Sequence, residues 1–372
     1  MARRMLLLFC LVLPALSHPA RPPIPQCTEK KEPFANEKNI VCRVEDGQFL
    51  DYNDIRMFSS EHANKVFNVT IECTKGGVVE LPWPYTAPNV ISLQVKGCKT
   101  TGFLSERNKK LAYPNQLKYV SLTDVTHMIT IPDLFEAIKT VDQWSPDYDC
   151  GAERALVQIY RNIGYTFPPS SMNSVDEMMM LEQLMADNNL KKLLSHNTVC
   201  YYQNLNYLEE SGSRSMSSMH FKLMETTMQY PELKQYSLRN NSFNAVPEEL
   251  KLLNIGFIPR LSSLDLSDNN IETPDFRFRG KSTHPLVIDL KRNRIENIDK
   301  TVLSQLVKDD NIVFDLRENP LICSCEVFSY AQQMLRNIQN QISQTIYHEL
   351  TCTESNTQKL VFVRDVDSAN CK

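Results

Sequence analysis

The chain is poor in glycine, with 10 in 372 residues, and proline is moderate at 20. That composition excludes collagen-like and low-complexity chains. Charge is nearly balanced, 40 Lys and Arg against 44 Asp and Glu, for a net charge of −4. No block of like charge and no basic helix stands out, so there is no electrostatic footprint for nucleic acid. Beyond the first residues, no apolar run is long enough to span a bilayer. Catalytic spellings are missing as well. There is no His-Glu-x-x-His, no Gly-x-Ser-x-Gly, no phosphate-cradling glycine loop and no calcium-loop spacing. The seven His are scattered, and His348 and Glu349 have no second ligand nearby in the sequence. No catalytic, cofactor-binding or metal site is expected, so the chain should not be an enzyme.

Residues 1–17 read as a secretory leader. Arg3 and Arg4 supply the positive start, Met5 to Leu16 the short apolar core, and Ala15, Leu16 and Ser17 a small-residue cleavage site before His18. The chain stops one residue after Cys371, with no apolar tail for a lipid anchor. A secreted protein with no transmembrane anchor is expected. Of 11 Cys, Cys10 lies in the leader. The rest are Cys27, Cys42, Cys73, Cys98, Cys150, Cys200, Cys323, Cys325, Cys352 and Cys371. An even set in a secreted chain implies a disulfide framework.

What the sequence does contain is a repeat. Between Leu233 and Cys325, four segments alternate an apolar residue with another residue and close on Asn. The apolar pairs are Tyr236 and Leu238, Leu264 and Leu266, Ile288 and Leu290, and Phe314 and Leu316. The closing residues Asn241, Asn269, Asn293 and Asn319 fall 28, 24 and 26 residues apart. Recurrence at that interval marks a solenoid rather than a single-core globule. Alternation puts each apolar pair on one face of a strand and the residues between on the other. One coil cannot bury its apolar face alone, so coils must stack. The turn after each strand leaves backbone groups inside the stack. An Asn amide carries donors and an acceptor, and can bond its own turn and the next coil. A chance run of strand-like residues is the competing explanation, and four copies in register argue against it.

The fullest copy, Leu261-x-x-Leu264-x-Leu266-x-x-Asn269-x-Ile271, resembles the leucine-rich repeat. The resemblance implies an α/β solenoid: a horseshoe with a parallel concave sheet, helices or irregular segments on the convex side, and disulfide caps. Asn319, Pro320, Cys323 and Cys325, followed by Cys352 and Cys371, resemble the carboxy-terminal cap of extracellular members, although Leu321 stands where a large aromatic is common. That resemblance implies the pairs Cys323–Cys352 and Cys325–Cys371. A zinc site at the Cys-x-Cys pair is the alternative, disfavoured in an oxidising compartment. Val327 to Ile338 has helical apolar spacing and should lie across the open end of the core. Upstream, Val69, Ile71 and Cys73, then Leu81 and Pro82, then Val90 and Leu93 resemble the amino-terminal cap seen in Toll-type receptor ectodomains. Cys73 and Cys98 are 25 residues apart, about one coil. Neighbouring strands lie ~4.8 Å apart, within the reach of a disulfide. The favoured pairs are Cys73–Cys98 and Cys27–Cys42. Four cysteines allow three connectivities, and Cys98 also holds a repeat position where an unpaired Cys occurs. The expected layout is a leader over 1–17, an amino-terminal cysteine-containing cap over 18–87, repeats over 88–319 with an oversized or inserted middle at 142–230, and a carboxy-terminal cysteine-rich cap over 320–372.

The middle repeats are fainter. Val90, Leu93, Val95 and Cys98 fit, as do Leu117, Val120, Leu122 and Val125. Val157, Ile159 and Asn162 fit only the second half of the spelling, and so do Val199, Tyr201 and Asn204. Coils would then close at 98, 125, 162, 204, 241, 269, 293 and 319. Ser174 and Glu177 have capping-box spacing, and Met178, Leu181, Leu184, Met185 and Leu193 recur at helical spacing, which predicts a convex-side helix. The rival arrangement is a helical insertion clasped by Cys150 and Cys200. Nine of the 14 Met lie between 172 and 228, either filling a convex core or lining a permissive binding surface. Ser211 to Ser218 reads as an exposed loop.

Function must then lie in surface. Outward residues of the last three coils form the columns Asp265, Asp289 and Asp315; Ser267, Lys291 and Arg317; and Asp268, Arg292 and Glu318. Stacked Asp residues repel, and the neighbouring cations should offset this. The stripe is either an acidic dock for a basic partner or a set of solvated residues common to the repeat. Sequons at Asn68 and Asn240 predict N-glycans, and a glycan at Asn240 would obstruct part of the concave face. A partner would then use the carboxy-terminal coils, or Tyr160, Tyr201 and Tyr202 as aromatic anchors. The resemblance implies recognition of an extracellular protein ligand or receptor, as a soluble innate-immune or signalling binder. The alternatives are a matrix or adhesion component and a carrier of a small apolar ligand.

Overall fold

The structure, a computed structural model, describes residues 24–30, 37–74, 76–83, 85–105, 116–134, 155–166, 179, 202–213, 230–336 and 341–366. The leader, Cys150, Cys200, Tyr201, Cys371 and, Met179 apart, the helix expected after Ser174 lie outside the described residues.

Eleven strands form one sheet, in the order β1 (Cys27–Lys30), β2 (Glu37–Val44), β4 (Val66–Cys73), β6 (Val90–Lys96), β8 (Tyr119–Thr123), β10 (Val157–Arg161), β12 (Tyr207–Ser211), β13 (Gln235–Ser237), β15 (Ser263–Asp265), β17 (Leu286–Asp289) and β18 (Ile312–Asp315). Five short strands form a second sheet: β3 (Phe49–Asp51), β5 (Val78–Glu80), β7 (Lys99–Thr101), β9 (Thr126–Met128) and β11 (Gly164–Thr166). β1 runs antiparallel to β2, and the strands after it pair in parallel with their neighbours. The chain is a leucine-rich repeat solenoid, with a wide parallel sheet, few helices among the described residues and disulfide-bonded caps. Two further strand pairs lie off these sheets, β14 (Leu252–Asn254) with β16 (Arg277–Arg279) and β19 (Thr351–Thr353) with β20 (Leu360–Phe362). The longer helices are α1 (Tyr52–Ser60), α2 (Lys300–Leu306), α3 (Cys325–Arg336) and α4 (Gln341–Glu349). Parallel stacking starts at β2, so residues 37–73 already supply two strands of the stack.

Register stacks the inward pairs. Val69 and Ile71, Leu93 and Val95, and Val120 and Leu122 align in the amino-terminal half. Tyr236 and Leu238, Leu264 and Leu266, Ile288 and Leu290, and Phe314 and Leu316 do so in the carboxy-terminal half. All are at most 1% exposed. Each such side chain contributes roughly 1.5–3 kcal/mol by leaving water, and the stacked column is what offsets the entropy of ordering so many turns.

Two middle coils sit differently from expectation. β10 aligns Gln158 and Tyr160, not Val157 and Ile159, with Val120 and Leu122. Its coil therefore closes at Ile163 rather than Asn162. The next strand is Tyr207–Ser211, not a segment closing at Asn204. Its inward pair is Leu208 and Glu210, and its coil closes at Ser213. A slip of one residue turns every side chain to the opposite face, so the two readings of β10 are mutually exclusive. The turn explains Asn162. The residue before each closing position (Gly97, Asp124, Asn162, Gly212, Asn240, Asp268, Arg292 and Glu318) has a φ between 52° and 72°. Gly, Asn and Asp tolerate that left-handed conformation best, and Asn162 fills this turn position.

The corners after these turns are satisfied in two ways. In the amino-terminal coils the second sheet pairs main chain with main chain. Thr126 N–H donates to the Cys98 carbonyl at 2.9 Å, and Gly164 N–H to that of Val125 at 2.9 Å. In the carboxy-terminal coils the Asn amides do it. Asn269 Nδ2 donates to the carbonyls of Leu266 at 2.9 Å and Leu238 at 3.1 Å. Its Oδ1 accepts from Asn241 N at 2.9 Å and Phe243 N at 3.1 Å. Asn293 and Asn319 repeat this, each bridging its own coil and the one before.

The ends are closed covalently and by packing. Disulfides join Cys27–Cys42, Cys73–Cys98 and Cys323–Cys352, with Cα separations of 3.9, 4.9 and 5.0 Å. Cys325 is disulfide-bonded as well. Helix α3 lies over the end of the stack with Val327, Tyr330, Ala331 and Met334 buried. Tyr330 Oη accepts from Phe314 N at 3.0 Å and donates to the Phe314 carbonyl, which occupies the open edge of β18.

Candidate recognition surface

Pointing the apolar pairs inward forces the intervening residues onto the concave face. Along the column between each pair, register places Thr70, Gln94, Ser121, Ile159, Glu209, Ser237, Asp265, Asp289 and Asp315 side by side. The amino-terminal stretch is uncharged, and four of the last five positions are acidic. Asp265, Asp289 and Asp315 thus lie together, as their spacing in the sequence requires.

The acids do not face solvent bare. Arg317 grips Asp315 with two bonds, Nε to Oδ1 at 2.9 Å and Nη2 to Oδ2 at 2.7 Å. Its third nitrogen reaches Glu349 of α4. Lys291 Nζ lies 3.0 Å from Asp289 and 3.8 Å from Asp315, bridging two coils. Burial pushes the Asp289 carboxyl up, the charge of Asp315 adds to this, and the bonds from Lys291 oppose it. Asp265 is held by hydroxyls, accepting from Ser267 Oγ at 2.6 Å and Ser237 Oγ at 3.4 Å. Among the described residues no cation pairs with it. At the rim, Arg292 and Arg239 both bond Asp268, at 2.6 Å each, and Arg292 also reaches Glu318 at 3.3 Å. These bonds hold the Asp268 carboxyl below its usual range, Arg292 first. Exposed pairs of this sort add little stability. They fix the positions of charged groups on the surface.

A second ionic group, absent from the sequence reading, sits on β12. Arg161 of β10 makes two bonds to Glu209, both 2.6 Å. Tyr207 Oη and Ser211 Oγ each donate to the same carboxylate at 2.7 Å. Burial opposes the charge on Glu209, and the bonds from Arg161, Ser211 and Tyr207 outweigh it, holding the carboxyl below its usual range. Burial and the bond to Glu209 push Tyr207 up to about 12. The spelling that closes at Asn204 leaves this group out; with Tyr207–Ser211 as the strand, all three of its outward residues belong to it.

Tyr160 and Tyr202, expected as exposed anchors, are each 1% exposed and lie in the core. Tyr160 occupies the inward position of β10, which the one-residue shift assigns it. Asn240 is exposed at the rim beside Asn241, while Asn68 is half-buried on β4 and donates to Asn39 Oδ1 at 2.9 Å. His348 is tied to Arg364, whose Nη1 bonds its carbonyl at 3.0 Å. Off the sheet, an open cavity of about 820 Å³ between the last coils and the cap is lined by Glu272, Arg294, Glu296, Asp299, Lys300 and Glu326 among others. Among the described residues, no group of three His, Cys, Asp or Glu could hold a metal ion, and no helix is long and apolar enough to cross a membrane.

No protein-family model matches the sequence, and no curated protein matches it. Among solved structures the chain is similar to human 5T4, also named Wnt-activated inhibitory factor 1 or trophoblast glycoprotein. That match has 14% identity and a TM-score of 0.45, covering 89% of this chain and 93% of that one. It is also similar to the internalin InlF of Listeria monocytogenes, with 11% identity and a TM-score of 0.33 over 84% of this chain and 79% of that one.

Proposed function

We propose that the chain acts outside the cell as a protein-recognition module, presenting the concave surface of β12 to β18 to a protein partner. The observation that carries this reading is the pre-set row of charge on that surface. Asp265, Asp289 and Asp315 stand in adjacent coils, with Lys291 held between Asp289 and Asp315 and Arg317 fixed on Asp315. Charged groups already fixed in position lose little entropy on binding and impose register on a partner. A repeat surface of this kind is suited to extended protein contacts. The leader at 1–17 and the disulfides support an extracellular setting. In that setting Asn240 carries an N-glycan at the rim of β13, leaving β15 to β18 as the open part of the face. The alternatives are a matrix or adhesion component and a carrier of a small apolar ligand, and the helix against which such a ligand would sit lies, Met179 apart, outside the described residues.

The full chain, produced in a secreting cell line, tests the reading in two stages. Secretion with the new amino terminus at His18 and a glycan at Asn240 is expected. Retention inside the cell with Met1 intact would overturn the extracellular part. Crosslinked capture from extracellular fluid is then compared between the unsubstituted chain and Asp289→Lys. A protein captured by the first and lost by the second supports the concave dock. Equal capture by both removes it.

A further inference from the structure

At the inward position of β12 stands a carboxylate. Its counterparts across the sheet are Leu122, Tyr160, Leu238 and Leu266. Glu210 is 4% exposed. Tyr236 Oη of β13 donates to its Oε2 at 2.8 Å, and its Oε1 has no hydrogen-bond partner among the described residues. The titratable groups that face it are tyrosines: Tyr236 on one side, Tyr160 of β10 on the other, and Tyr230 with Tyr202 stacked on it at 5.0 Å. Beside Tyr160, Gln158 is the other polar inward residue, accepting from Tyr160 Oη at 3.4 Å. No cation acts on Glu210 among the described residues. A lone carboxylate in such a site is costly when charged, and a protonated carboxyl is not.

We propose that Glu210 makes the junction between the two halves of the solenoid acid-stabilised, its neutral form closing the core between β10 and β13 and its charged form loosening it. Burial pushes this carboxyl from its ordinary 4.5 up to about 7, with the bond from Tyr236 opposing. The sign follows from linkage. Below 4.5 both folded and unfolded chains hold the proton and the contribution is complete. Between 4.5 and about 7 only the folded chain holds it, so stability falls as pH rises, and above that it stays low. Within that window the local opening constant should rise about tenfold per pH unit. The consequence reaches the surface, because the next residue on the same strand, Glu209, anchors the ionic group with Arg161. Acidification firms that part of the concave face.

Hydrogen exchange of the full, oxidised chain between pH 5 and pH 8, corrected for intrinsic rates, reads this directly. In the unsubstituted protein, protection of β12 and β13 should fall with rising pH. In Glu210→Gln, an isosteric neutral side chain, it should be flat at the low-pH level. An unchanged pH dependence in Glu210→Gln overturns the proposal. A titration of the unsubstituted protein carrying ¹³C-labelled glutamate needs no variant. One carboxyl titrating near 7 is expected, and all glutamates titrating in the ordinary range overturns it.

Discussion

The two halves of this solenoid reach the same backbone path by different chemistry. From β13 onward, the corner of each coil is held by the side chain of an Asn that bonds two successive coils. From β3 to β11, the corner is held by a second sheet, and the closing positions are Cys98, Val125 and Ile163. A backbone group buried at a turn must be paired, and the fold accepts either partner. Where the residues directly after the turn do not pair as a strand, the Asn side chain supplies the missing partner.

Swapping the chemistry at the corners tests this most severely. Asn269→Ala takes the acceptor from the Asn241 and Phe243 N–H groups, while the Leu238 and Leu266 carbonyls each keep a second donor, Asn241 Nδ2 and Asn293 Nδ2. At roughly 2 kcal/mol for each of these two donors stripped of its acceptor, a loss of about 4 kcal/mol is expected in denaturant unfolding. A loss below about 1 kcal/mol would show that the ladder is dispensable, and the comparison with it. The reciprocal change, Val125→Asn, places an amide where main-chain partners are already engaged and Val125 is fully buried. It should destabilise by about 3 kcal/mol, and a stabilised protein would mean the second sheet leaves corner groups unmet.

Smaller effects sharpen the contrast on the concave face. Asp315 is nearly buried under Arg317, so Asp315→Ala leaves the guanidinium with Glu349 alone. A loss of about 2 kcal/mol in thermal unfolding is expected, below the range for a fully buried pair because Arg317 is partly solvated. The rim should respond least. Arg292→Ala breaks exposed bonds to Asp268 and Glu318, and the Cβ that it keeps leaves the cost of the left-handed φ of 54° unchanged. The net change should be under about 1 kcal/mol, and smaller still at high salt.

Legibility in the sequence follows the same division. Asn241, Asn269, Asn293 and Asn319 could be read directly, because the side chain that satisfies the corner is written at the corner. The columns Asp265, Asp289 and Asp315 and Lys291, Arg317 came with that register. In the middle, Val157, Ile159 and Asn162 imitate the spelling one residue out of phase with the true register. Asn162 is a turn residue bonded to Asp124 Oδ1 at 2.8 Å, and Ile163 closes the coil. The strand at Tyr207–Ser211 was hidden by its inward Glu210, which breaks the apolar alternation that identifies a strand. Gln158 hides its neighbour in the same way.

The stacking, the spacing of the regular coils and the half of the surface they carry are written in residue type, since a 2-residue alternation closed by Asn has one economical solution. The register of β10 and β12, the burial of Tyr160 and Tyr202 and the partners of Glu209 and Glu210 were settled by packing between coils. Backbone pairing in the second sheet uses groups that every residue shares, so it leaves no trace in residue type. Polar groups inside a core are recognisable only once their partners in distant coils are in place.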